Sequence, residues 1–224
     1  MTCRPAPNPA SELAEMRRYV PGPIAEQIST GESLESGESE VTVMFIDLRG
    51  YTAFAEGLTP KEVFSFLNRY THTVSQIVRR HGGFVVEFNG DGMMAIFGAP
   101  VSLPYKERAA LGAACEIARA VGALEPEPVC DSSPRPHRVG IGIATGLAFV
   151  GNIRAVDRVI WSAVGTTTNL ASRLQALTDL LEASIIVDDA TRRSAGAAPG
   201  FVRHDPASIR GLSAPVALFA LPRE

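Results

Sequence analysis

The chain has 224 residues, 46% of them hydrophobic and 20% charged, with a formal net charge of −3. That length suits one domain with a terminal extension, and the apolar content is enough for a sizeable core. No Lys/Arg cluster or basic stripe appears, so nothing supports a duplex-binding surface and nucleic acid is not an expected partner.

Residues 1–40 read as an N-terminal extension. Pro5, Pro7 and Pro9 open it, a short helix is expected from Ser11 to about Tyr19, and the acidic, Gly/Ser-rich stretch from Gly31 to Glu40 reads as a linker. The folded domain is expected over residues 41–224. Val41 to Leu48 is a nearly continuous apolar run, as in a strand buried on both faces. Thr59 and Pro60 then open a helix, with Thr59 as N-cap, Pro60 at the first helical position and Glu62 three residues after the cap. Apolar residues recur at helical spacing from Val63 to Val78, and His81-Gly82-Gly83 ends the pattern. Phe84–Phe88 and Met93–Phe97 flank Asn89-Gly90-Asp91-Gly92, a strong hairpin signal because Asn-Gly and Asp-Gly favour positive φ. Pro104 to about Val121 reads as a second helix. A proline-rich surface excursion over residues 125–136 follows. Val139 to Val150 reads as a strand pair or a strand and turn, and Val159 to Val164 as a strand. A third helix is expected from Thr167 to about Leu181, with late strands at Ser184–Val187 and Val216–Leu221.

The order βαββαβ followed by an αβ supplement predicts an α+β fold. It is the ferredoxin-like arrangement, with helices packed on one face of a mostly antiparallel sheet. The three cysteines, Cys3, Cys115 and Cys130, are far apart and lack C-x-x-C spacing, which argues against a disulfide framework or structural zinc. Cys115 reads as a small core residue, and the expected location is a reducing cytoplasm. No apolar run reaches the roughly 18 residues of a membrane span, and the N-terminus lacks the apolar segment of a signal peptide.

Asp47 follows five apolar residues and precedes Arg49-Gly50-Tyr51-Thr52. A carboxylate at a strand end beside a glycine turn can hold a hard cation while free backbone N–H groups face an anion. The same Asp equally reads as a cap of the next turn. Asp91, taken alone, is ordinary turn chemistry. In a βαββ unit, however, the first strand and the hairpin are neighbours, so the two carboxylates can converge. Two carboxylates plus substrate phosphates are a common Mg²⁺ site. Asn169 and Arg173 are four apart on the third helix and share a face. They read as a local hydrogen bond and a surface ion pair, or as a pair addressing a ribose and a phosphate.

These residues carry a resemblance. FIDLRGYT (Phe45 to Thr52), GGFVVEFNGDGMMAIFGAP (Gly82 to Pro100), GIGIATGLAFVGNI (Gly140 to Ile153) and VGTTTNLASRLQAL (Val164 to Leu177) occur in the order and spacing of class III adenylate/guanylate cyclase domains of bacterial type. The match runs over roughly residues 41–222. The resemblance implies that Asp47, Asp91 and the backbone carbonyl of Ile46 hold two Mg²⁺ or Mn²⁺ ions per active site. It implies that the turn of Leu48, Arg49, Gly50, Tyr51 and Thr52 cradles the triphosphate, that Asn169 orients the ribose, and that Arg173 stabilises the transition state. Arg158 and Arg210 fall near positions of basic phosphate contacts, and either can equally be a plain surface arginine. The implied reaction is in-line attack of the ribose 3′-hydroxyl on the α-phosphorus, giving a 3′,5′-cyclic nucleotide and pyrophosphate for signalling. The family works as a head-to-tail dimer, and this chain has both halves of the site. A homodimer with two shared sites is therefore expected.

The base-contacting positions depart from the adenylate cyclase pattern, where a Lys and an Asp or Thr are usual. Here they are Glu87 and Ser162. A carboxylate accepts from the N1–H and N2–H₂ of guanine and repels the N1 acceptor of adenine, whereas ATP is the more prevalent substrate of the family. ATP is taken as the expected substrate on that prevalence, with GTP as the alternative. Glu87 can also be a solvated strand residue that never touches a base. Trp161, Thr166 and Thr168 depart from the usual residues around the third-helix motif without removing a metal or transition-state group. A catalytically silent dimerisation module would lack one of Asp47, Asp91, Asn169 or Arg173, and all four are present. The Gly-Gly-Asp/Glu-Glu-Phe turn of diguanylate cyclases is absent.

Overall fold

A computed structural model describes residues 36–124, 138–154, 156, 159–196, 199–209 and 214–223. The expected N-terminal helix and the proline-rich excursion lie outside the described residues. The elements are β1 (Gly37–Leu48), α1 (Tyr51–Glu56), α2 (Pro60–Arg80), β2 (Phe84–Asn89), β3 (Gly92–Phe97), α3 (Lys106–Gly122), β4 (Val139–Arg154), β5 (Val159–Val164), α4 (Thr166–Leu180), β6 (Ala183–Asp188), α5 (Asp189–Ser194), β7 (Val202–Ala207) and β8 (Val216–Pro222).

Local chemistry starts and stops these elements as expected in several places. Thr59 Oγ1 accepts from the Glu62 N–H, and Glu62 Oε2 accepts from the Thr59 N–H at 2.7 Å. Two otherwise orphaned donors at the head of α2 are thereby satisfied. The hairpin between β2 and β3 closes on the Asn89↔Gly92 pair, with Gly90 at φ +63°.

The strands form one sheet in the order β2-β3-β1-β4-β6-β8-β7, with β5 pairing β4 off that path. The β4-β1-β3-β2 portion is the ferredoxin-like core, and only β4 and β6 pair in parallel. Apolar residues of β1 alternate between two layers. Met44, Ile46 and Leu48 face a core built with α2 and α3, where Phe66, Tyr70, Val74 and Ile117 are buried. Val41 and Val43 face the opposite layer, where Ala171 and Leu174 of α4 and Trp161 of β5 are buried. Cys115 of α3 is half-buried against the first of these cores.

Several expectations need correction. Helices flank both faces of the sheet, because α4 packs on the face opposite α2 and α3. β1 begins at Gly37, so the last four residues of the expected linker are strand, paired with Leu147 to Val150. β4 is a single strand of 16 residues rather than a strand and turn. It pairs β1 from Val139 to Val150, β6 over Ile141 to Ile143, and β5 over Phe149 to Arg154. α1, α5 and β7 are additional elements that periodicity did not signal, being short enough for turn chemistry and tertiary packing to decide them.

Candidate active site

Two carboxylates meet where β1 ends. The alternation that buries Ile46 and Leu48 on the α2/α3 side sends Asp47 to the α4 side. The Ile46↔Met93 pairing then sets Asp47 beside Gly92, next to Asp91 in the hairpin turn. A Cβ on Gly92 would lie 3.4 Å from Asp47 Oδ1 and 3.9 Å from the Ile46 carbonyl oxygen. The two carboxylates are close enough for the charge of Asp91 to act directly on Asp47.

The electrostatics follow from that crowding. Burial and then the charge of Asp91 push the Asp47 carboxyl up to about 6, against the opposing pull of Arg49 and Gln175. Tyr70 lies buried below the pair. Its burial and the charges of Asp47 and Asp91 hold its phenol well above the usual range. Its hydroxyl has no hydrogen-bond partner among the described residues.

This donor set suits a hard divalent cation. All three groups are oxygens, and two like charges placed together, only partly offset by Arg49, are relieved by a cation between them. Among the described residues no group of three or more His, Cys, Asp or Glu is gathered anywhere.

The turn after β1 is partly committed to the fold. The Leu48 side chain is buried in the core, leaving only its backbone for a ligand. The Arg49 N–H donates to the Arg138 carbonyl at 2.8 Å. Gly50 adopts φ +70°, a left-handed conformation that turns the chain into α1 without a Cβ penalty. Tyr51 and Thr52 form the first turn of α1, whose N–H groups have no intrahelical acceptor.

The Arg49 guanidinium does not project into open solvent. Nη1 donates to Asp179 Oδ2 at 2.7 Å and stands 4.0 Å from Asp47 Oδ2. Nη2 donates to the Gln175 carbonyl at 2.8 Å and to Thr178 Oγ1. A phosphate contact by Arg49 would have to compete with this network.

Asn169 and Arg173 are both exposed on α4. Among the described residues no hydrogen bond or ion pair engages either side chain, and none joins them to Asp47 or Asp91. The structure does bring the other predicted pair together. Ser162 Oγ donates to Glu87 Oε1 at 3.0 Å. Ser162 is buried on β5 and Glu87 is exposed on β2. A register shift between Val85 and Glu87 makes this contact possible. The extra residue turns Glu87 to the face of Met94, its cross-strand partner in the α4 layer. Arg158 and Arg210 lie outside the described residues.

Sequence reasoning missed the residues of α4 that hold the carboxylate end of the site. Gln175 Nε2 donates to Asp47 Oδ2 at 3.3 Å. Asp179 joins Arg49 to Arg223, whose Nη2 reaches Asp179 Oδ1 at 2.7 Å. Gln175 and Asp179 are one helical turn apart, so a shared face was readable. Its contact with a strand more than a hundred residues earlier was not.

Residues 35–218 match the family described as the adenylate and guanylate cyclase catalytic domain. Adenylate cyclase 1 of Rhizobium meliloti (strain 1021) is 32% identical over 151 residues, 67% of this chain and 23% of that protein. The chain therefore spans about a quarter of the length of that curated relative. Among solved structures, the adenylyl cyclase CyaB from P. aeruginosa superposes with a TM-score of 0.75 at 25% identity, covering 85% of this chain and 97% of that one. The guanylyl cyclase Cya2 superposes with a TM-score of 0.68 at 29% identity, covering 84% of this chain and 94% of that one. No helix among the described residues is long and apolar enough to cross a membrane. With four ordered motifs, the matching fold and two convergent carboxylates, the chain belongs to the adenylate and guanylate cyclase family and is a nucleotide cyclase catalytic domain.

Proposed function

We propose that the chain converts a purine nucleoside triphosphate into a 3′,5′-cyclic nucleotide and pyrophosphate. The observation that carries this reading is the convergence of Asp47 and Asp91 at the end of β1, beside the free N–H groups of α1. Asp47, Asp91 and the Ile46 carbonyl would hold two Mg²⁺ or Mn²⁺ ions. Such ions supply acidification of the 3′-hydroxyl and neutralisation of the triphosphate. The first-turn amides of Tyr51 and Thr52 bind phosphate oxygens. Asn169 hydrogen-bonds the ribose and holds the 3′-oxygen in line with the α-phosphorus. Arg173 places a permanent charge against the oxygens of the α-phosphoryl group as the new O–P bond forms and the bond to pyrophosphate breaks. The 3′-hydroxyl proton leaves to solvent.

The site is shared between two copies of the chain in this reading. Asn169 and Arg173 stand exposed without side-chain partners among the described residues. An apolar stripe of Leu147, Phe149, Ile153 and Val164 is also exposed on the β4–β5 arm. Such a stripe supports a protein interface, and a head-to-tail homodimer would cover it. The resemblance to adenylate cyclases supports ATP as substrate.

A second reading, GTP, is favoured by the Ser162–Glu87 hydrogen bond. Ser162 uses its proton on Glu87, so the pair presents acceptors to a base. Guanine N1–H and N2–H₂ can satisfy those acceptors, and adenine N1 cannot.

The test is to incubate purified protein with ATP, GTP, CTP and UTP in turn, with Mg²⁺ or Mn²⁺, and identify products by mass spectrometry. A cyclic purine nucleotide is expected, and its base decides between the two readings. Absence of any cyclic product overturns the enzyme reading. Mixing Asp47→Ala with Arg173→Ala chains should restore activity through one intact composite site. Failure of two folded, subunit-exchanging variants to complement counts against the shared site.

A further inference from the structure

α4 serves the carboxylate end of the site in its own chain. The Asp47 carboxylate is divided between two environments. Oδ1 lies toward Gly92 and the hairpin turn. Oδ2 accepts from Gln175 Nε2 at 3.3 Å. A neutral amide orients a carboxylate without cancelling its charge. Arg49, which could cancel it, stands 4.0 Å from Asp47 but 2.7 Å from Asp179.

The helix is pinned so that Gln175 can make this contact. At Gly142 of β4, an added Cβ would collide with the Gln175 backbone nitrogen and the Ala171 carbonyl, so α4 rests directly on the sheet there. At Gly140, an added Cβ would strike the Arg49 guanidinium and Thr178. Arg49 Nη2 holds the Gln175 carbonyl at 2.8 Å, and Arg223 Nη2 holds the Thr178 carbonyl at 3.1 Å. Sliding and rotation of the C-terminal half of α4 are therefore both resisted, in part by Arg49, which also stands 4.0 Å from Asp47.

We propose that Gln175 is a positioning residue for Asp47, fixing the carboxylate so that Oδ1 is turned toward Asp91 and a divalent cation. The proposal rests on the cyclase reading and deepens it. In the shared-site dimer, one helix then has two duties. Asn169 and Arg173 reach into the partner's site, while Gln175 orders the carboxylate of its own chain.

Two measurements test this on the full chain. The first is Mn²⁺ binding to nucleotide-free protein, followed by electron paramagnetic resonance. Gln175→Leu should weaken binding by about tenfold, the scale of losing an outer-shell partner of a metal ligand. Gln175→Met, which keeps an unbranched shape, should do the same, so that misfolding of one variant does not decide the matter. Mn²⁺ affinity within about twofold of the parent in either folded variant overturns the proposal, since an outer-shell partner normally matters more than that. So does a parent chain that binds no Mn²⁺.

The second measurement is subunit mixing. A Gln175→Leu chain should complement Arg173→Ala, because the mixed dimer keeps one site with intact Asp47, Gln175, Asn169 and Arg173. It should not complement Asp47→Ala. The reverse pattern overturns the proposal. If the parent makes no cyclic nucleotide but the variants still lose Mn²⁺, the function reading falls and the positioning role stands.

Discussion

Asp47→Asn should make the metal-free protein more stable while abolishing its capacity for cation-dependent chemistry. The Asp47 carboxyl is raised from 3.8 to about 6, first by burial and then by Asp91. Each pKa unit is about 1.4 kcal/mol, so the shift corresponds to at most about 3 kcal/mol of penalty on the ionised form. The side chain is 37% exposed, so solvent screening reduces that to about 1–2 kcal/mol. A group whose folded pKa is raised binds its proton more tightly when folded. Its penalty is absent below pH 3.8, grows as pH rises, and is complete above about pH 6. In chelator at pH 7.5 the asparagine variant should therefore melt about 2–8 °C above the parent. The gap should shrink through pH 6 and close near pH 4. Mn²⁺ should reverse the order, because ligand binding stabilises only the chain that can hold it. Thermal denaturation followed by circular dichroism, with and without Mn²⁺, measures all of this. A gap that is absent at pH 7.5, or that does not change with pH, refutes the reasoning.

Arg173→Ala should leave the melting temperature unchanged, since the side chain is exposed and unbonded among the described residues. It should lower kcat by about 10²–10³-fold, the scale of removing a preorganised group that stabilises transition-state charge. Steady-state kinetics check this, and an unchanged kcat removes Arg173 from the site. Glu87→Lys, which replaces an acceptor with a donor beside Ser162, should shift the ratio of kcat/KM for GTP over ATP toward ATP by about tenfold or more. An unchanged ratio places Glu87 outside the base pocket. Gly142→Ala should cost about 2–3 kcal/mol in urea denaturation, because the added methyl meets main-chain atoms of α4 that cannot rotate away. A loss below about 0.5 kcal/mol would show that α4 can lift off β4 at little cost.

What is decided locally was legible in local signals. Thr59, Pro60 and Glu62 lie within four residues of one another, and their hydrogen bonds form within a single turn. Asn89-Gly90-Asp91-Gly92 closes a hairpin because its dihedral preferences need no distant partner. The apolar run ending in Asp47 is a strand because it is buried on both sides. These signals, with the motif order, were sufficient to identify the family and its convergent carboxylates.

Tertiary structure alone decided how those elements meet. The face taken by Glu87 depends on one extra residue in β2 whose register is set by β3, and side-chain alternation counted along the sequence places it on the wrong side. Which face of the sheet receives α4 depends on Gly140 and Gly142, whose missing side chains matter only once Arg49, Thr178 and the helix backbone are beside them. The contact of Gln175 with Asp47 joins residues 128 positions apart. No helical or strand period carries information over such a distance, because it is created by packing rather than by local dihedral preference. The sequence by itself determined the family motifs, the two carboxylates and the elements whose caps and turns are local. Packing of α4 onto β4 determined which of those groups hold one another in place.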